Sequence, residues 1–120
     1  MNRYTTTTPI DPDRLAELRA LFGGDDELNA LFRDFFRDLP FRMVTLRAGL
    51  QKNTPELVDY AAHTLKGSAA SLGAKHTAEL AADIERLSRL GKLAQASPLY
   101  AELETELRHL WQWLGLRGLT

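Results

Sequence analysis

Apolar residues recur every three or four positions along most of this 120-residue chain, and no stretch alternates in the manner of a strand. Leu15, Leu18 and Phe22 mark a first short helix, with Asp11 as its cap, Pro12 at its first position and Gly23-Gly24 as its stop. Asp25 or Asp26 opens a longer helix whose apolar face is Leu28, Leu31, Phe32, Phe35, Phe36 and Leu39. Pro40 should bend this helix without ending it, because Met43, Leu46 and Leu50 keep the period as far as Lys52-Asn53. Thr54 reads as the N-cap of a third helix, ahead of Pro55 and Glu56. That helix runs to about Leu72, and Gly73 stops it. A fourth begins near Lys75 or His76, carries Leu80, Ile84 and Leu87, and ends at Gly91. A fifth starts around Leu93 with a break expected near Ser97-Pro98, and continues through Leu103, Leu107, Leu110 and Trp111 to about Leu114.

Four substantial amphipathic helices with short connections imply an all-α, antiparallel four-helix bundle. The first short helix is an extra N-terminal element, expected to pack across one end as a cap. Three stretches follow from this reading: a flexible arm over 1–9, Thr-rich through Thr8; a bundle domain over 10–116; and a frayed tail over 117–120, heralded by Gly115 and Gly118.

Composition narrows the functional classes. Cysteine is absent, which excludes disulfides and thiolate metal sites. No apolar run reaches the roughly 20 residues of a membrane span, and the polar N-terminus does not read as a signal peptide. A cytoplasmic monomer is the expectation. The net charge of -1 comes from interspersed acids and bases, so binding nucleic acid through bulk charge is not expected. The expected partner is a protein.

The third helix carries the chemistry. At about 100° per residue, Val58, Ala61, Leu65, Ala69 and Leu72 fall within an arc of about 80° that should face the core. His63 lies at about 140° and Gly67 at about 180°, with Lys66 and Ala70 close by. A solvated face is normally filled with long polar side chains. Here small residues (Ala62, Gly67, Ala70 and Ala74) surround one imidazole and one ammonium. Gly67 in mid-helix costs about 1 kcal/mol relative to alanine. Such a surface lets another protein come close to the histidine. Imidazole is largely neutral at neutral pH, and its bare nitrogen can attack phosphorus. Lys66, one turn on, can offset charge on phosphoryl oxygens.

The segment His63-Thr64-Leu65-Lys66-Gly67-Ser68-Ala69-Ala70-Ser71-Leu72-Gly73-Ala74 resembles the signature of the histidine phosphotransfer (HPt) family. The Phe/Leu-rich second helix with its proline, and the segment Glu79-Leu80-Ala81-Ala82-Asp83-Ile84-Glu85-Arg86-Leu87, resemble the helices on either side of that signature. Ser71 departs from it, since many members carry an amide or a basic residue there. The resemblance implies a helical bundle that exchanges phosphoryl groups with the receiver domains of response regulators or with hybrid sensor kinases. It makes His63 the carrier, Lys66 the charge partner and Gly67 the access residue, with Ala62, Ala70, Ser71 and Ala74 on the docking face. It implies a phosphocarrier rather than an enzyme. No cofactor is expected on this chain, because Mg²⁺ would sit on the receiver.

Two other readings make different predictions. A non-phosphorylated interaction module of the same fold would not need His63. A metal-binding bundle could use the E-x-x-H string of Glu106 and His109, but the sequence holds no second string of that kind. His76 receives no role, and Trp111 and Trp113 read as packing or edge residues.

Overall fold

The computed structural model describes residues 8–119. Five helices follow one another in the order α1 (Pro12–Phe22), α2 (Asp25–Gln51), α3 (Pro55–Leu72), α4 (Lys75–Arg89) and α5 (Leu93–Leu116). No strand occurs among the described residues. Helices α2 to α5 form the antiparallel bundle, and α1 lies across one end.

The local chemistry explains the boundaries. The Asp11 carboxylate accepts from the Asp13 backbone N–H at 3.1 Å, satisfying one of the free donors at the start of α1. Thr54 occupies the N-cap position of α3, but its hydroxyl donates to the Lys52 carbonyl instead of capping. At the end of α3, Gly73 adopts φ 81°. This conformation lets the Ala74 N–H reach the Ala69 carbonyl at 2.9 Å and the Gly73 N–H reach the Ala70 carbonyl at 3.0 Å. A side chain at Gly73 would also strike Arg14, whose Cβ lies 2.8 Å from where a glycine-replacing Cβ would sit.

That contact shows how α1 is seated. The Asp11 N–H donates to the Gly73 carbonyl at 2.8 Å, Arg14 Nε donates to the Ser71 carbonyl at 2.9 Å, and Lys75 Nζ pairs with Asp11 Oδ2 at 3.4 Å. The first helix therefore clamps the turn between α3 and α4. Leu15 and Leu18 are its buried residues.

Two expectations about the C-terminal helix need correction. Helix α5 is continuous through Pro98. The proline removes the bond to the Ala94 carbonyl, but both residues are exposed, so water can take over that carbonyl. Nor do residues 117–119 fray. The chain turns back at Gly118, the Leu119 N–H bonds to the Leu114 carbonyl at 2.9 Å, and Leu119 is buried. Of the expected arm, residues 1–7 lie outside the described residues, while Pro9 is buried.

The core is a single cluster. Val58, Ala61, Leu65, Ala69 and Leu72 of α3 all face it, together with Leu80 and Ile84 of α4 and Leu103, Leu107 and Leu110 of α5. Phe32 and Phe35 are buried, and Phe36 stacks edge-on against Trp111 with ring centroids 4.8 Å apart. Helices α2 and α3 cross closely at Gly49, where a Cβ would lie 2.8 Å from Val58 Cγ2. Among the described residues no helix is long and apolar enough to cross a membrane.

Candidate functional site

The apolar stripe of α3 fixes which residues point outward. With Leu65 and Ala69 held in the core, His63 is turned away from it, and 64% of its side chain remains exposed. Gly67 lies on the same outer face, where an added Cβ would meet nothing within 4 Å. Ala70 and Ser71 are also exposed, and Ser71 Oγ donates back to the Gly67 carbonyl at 3.0 Å. Ala62 and Ala74 depart from the expectation. Both are fully buried and belong to the core, so neither can form part of a docking face. Ala62 packs beside the apolar stripe, and Ala74 sits in the tight α3–α4 turn.

The fold brings to His63 a fourth residue, one that the sequence does not single out. Glu85 of α4 is only 5% exposed, yet both its carboxylate oxygens reach the site. Oε2 lies 2.8 Å from His63 Nδ1, and Oε1 accepts from Lys66 Nζ at 2.7 Å. Arg89, one turn further along α4, donates to the same Oε2 at 2.9 Å. Burial alone would raise the Glu85 pKa. The hydrogen bonds from Lys66 and His63, with the charges of Lys66 and Arg89, outweigh it and hold the carboxyl below its ordinary value.

An ionised carboxylate only accepts hydrogen bonds. The contact with His63 therefore assigns the proton to Nδ1, which donates to Glu85. In the neutral ring this leaves Nε2 with a free lone pair on the open edge of the imidazole. One signal in the sequence could have pointed to Glu85. Ala81, Ile84 and Ser88 recur on the buried side of α4, and Glu85 is a charge on that same stripe.

Beside this face, a cleft of about 460 Å³ opens between α1, α2 and α3. Its apolar lining includes Leu18, Leu31, Phe35 and Leu72, and Ser68 and Ser71 border it from α3. No group of three or more metal-ligating side chains comes together among the described residues. Glu106 Oε1 and His109 Nδ1 lie 3.5 Å apart, as a pair.

A helical bundle that offers one imidazole to solvent, with a buried carboxylate behind it and a lysine one turn away, has the parts of a phosphoryl carrier. The chain belongs to the Hpt domain family, whose sequence profile matches residues 30–113. Among solved structures it is similar to histidine-containing phosphotransfer protein B from Pseudomonas aeruginosa PAO1. The two share 28% identity and a TM-score of 0.82 over 93% of this chain and 98% of that one. Comparison with curated protein sequences returns no match. The chain is thus a phosphocarrier of His–Asp phosphorelays rather than an enzyme, and domains of its family work with receiver and histidine kinase domains.

Proposed function

We propose that His63 Nε2 is the atom that carries the phosphoryl group. It takes the group from an aspartyl phosphate of a receiver domain and passes it to the aspartate of another. The observation that carries this reading is the exposed imidazole whose Nδ1–H is tied to the buried Glu85 carboxylate.

In the forward step, the Nε2 lone pair forms the N–P bond while the P–O bond to the receiver's aspartate breaks and leaves a carboxylate. The ring becomes positively charged as it gives up its lone pair. Glu85 faces that developing charge through Nδ1–H, so the hydrogen bond strengthens toward the transition state. Lys66 can turn to the phosphoryl oxygens. Gly67 keeps the approach clear, with Ala70 and Ser71 further along the docking face. The divalent metal of the transfer belongs to the receiver, and this chain contributes the nucleophile and its charge environment.

Counting back along α2 from the crossing at Gly49 and Val58 puts Phe41 and Val44 level with the stretch from Ala62 to Lys66. Both are exposed, as is Tyr60 one turn before His63. Apolar side chains exposed at the level of the histidine suit a partner that must seat a receiver's active site on it. We take residues 10–116, with Pro9 and Leu119 packed against them, as the working unit, acting as a monomer in the cytoplasm.

Incubation with a phosphorylated receiver tests the reading. Acid-labile, base-stable phosphate should appear on the wild type and be absent from a folded His63→Gln variant. A wild type that stays unlabelled across several receivers would instead support a pure interaction module.

A further inference from the structure

The Glu85 carboxylate serves more positive charge than it can neutralise. It carries one negative charge and faces two full cations, Lys66 at 2.7 Å and Arg89 at 2.9 Å, besides the Nδ1–H of His63 at 2.8 Å. One cation is therefore in surplus. Arg89 and His63 share the same oxygen, so the guanidinium lies within two hydrogen-bond lengths of the ring. Arg89 is held loosely. Its side chain is 62% exposed, it stands on the last turn of α4, and among the described residues only its Nη2 is engaged. A guanidinium has five N–H donors in a planar fork that matches the oxygens of a phosphoryl group.

We propose that Arg89 is a second phosphoryl-binding residue of this site, resting on Glu85 until a phosphoryl group arrives. The proposal rests on His63 being the carrier. A phosphoryl group on Nε2 brings more negative charge than a carboxylate, and three acceptor oxygens. Arg89 then turns its free N–H groups to those oxygens from the α4 side while Lys66 approaches from α3. Glu85 keeps the Nδ1–H of the ring. In the empty site the carboxylate acts as a placeholder anion. It holds both cations near where phosphoryl charge will develop, so little reorganisation is needed when it does. No covalent chemistry is added. The bonds made and broken are those of the transfer itself.

A small phosphoryl donor separates this role from receiver docking. With phosphoramidate, the P–N bond to ammonia breaks and the bond to His63 forms without a protein partner. Wild type, Arg89→Ala, Arg89→Lys and His63→Gln would be followed by ³¹P NMR for rate of uptake and lifetime of the phosphorylated form. Arg89→Ala should slow uptake or shorten that lifetime by about tenfold or more. Arg89→Lys should recover part of the loss. The ¹⁵N signature of the unphosphorylated ring and the melting temperature should stay at wild-type values in both. Wild-type rate and lifetime in Arg89→Ala, with the wild type labelled at His63, would overturn the role of Arg89 and leave the carrier reading intact. A slowed Arg89→Ala whose ¹⁵N signature also loses Nδ1 protonation would assign Arg89 to orienting Glu85 and overturn direct contact. A wild type that takes up no phosphoryl group would bring down both readings together.

Discussion

Glu85 Oε2 and His63 Nδ1 stand 2.8 Å apart, one buried on α4 and the other exposed on α3. Replacing Glu85 by Ala removes the acceptor that holds the proton on Nδ1. The ¹⁵N spectrum should then show a mixture of imidazole tautomers, and phosphoryl uptake should fall by about tenfold or more. Unchanged uptake with a mixed tautomer would show that orientation of the ring is not needed.

The same carboxylate makes stability depend on pH. Its folded-state pKa lies below the ordinary value of 4.5, because its cationic partners and hydrogen bonds outweigh burial. Ionised Glu85 thus contributes stability above the unfolded pKa, and the contribution is lost as pH falls through the folded value. Glu85→Gln should cost on the order of 1 kcal/mol at neutral pH. The difference from wild type should vanish in acid, as urea titrations at several pH values would reveal.

Glu106 has the opposite sign. Burial pushes its carboxyl above the ordinary 4.5, outweighing the charges of His109 and His76, and Oε2 has no hydrogen-bond partner among the described residues. Its contribution is present below the unfolded pKa and lost as pH rises through the folded value. Glu106→Gln should stabilise the protein at neutral pH by on the order of 1 kcal/mol, and by nothing in acid. A loss of stability at neutral pH would mean that the pairing with His109 matters more than the burial.

Two helical glycines should respond in opposite ways. Gly67→Ala meets no neighbour and should raise stability by about 1 kcal/mol. A longer side chain at this position, as in Gly67→Gln, should leave the fold intact. It should slow transfer from a receiver by about tenfold or more, the effect of overpacking a close contact, yet spare uptake from phosphoramidate.

Gly49→Ala should do the reverse. Its Cβ would come within 2.9 Å of the Val58 backbone nitrogen, which cannot swing aside as a flexible side chain would. A loss of about 1–3 kcal/mol in chemical denaturation is expected despite alanine's better helix propensity. Equal or greater stability would show that α2 and α3 can separate without penalty.

How much of this was legible before the structure depended on the range of each interaction. Gly73 and Gly91 announced the ends of α3 and α4 because helix stops are local chemistry. His63, Lys66 and Gly67 were legible because their spacing lies within one helix. Glu85 was not, because it meets His63 across 22 positions and no periodicity within α3 reports that contact. Ala62 stands only about 40° from Val58 on the helical wheel, and a small apolar side chain at the edge of a stripe suits core and surface equally. Leu119 lies beyond two glycines that suggested fraying, yet the turn at Gly118 returns it to Leu114. Pro98 suggested a break that exposure of the freed carbonyl makes unnecessary.

The outer face of α3 presents one histidine, and on the proposed reading both the giver and the taker of the phosphoryl group must reach it. They cannot do so at once. The relay through this protein is therefore a queue at a single counter, where the first visitor must depart before the second can be served. Throughput then depends on how quickly each complex falls apart as well as on the transfer step. A partner that binds too tightly would stall the traffic as surely as one that never arrives.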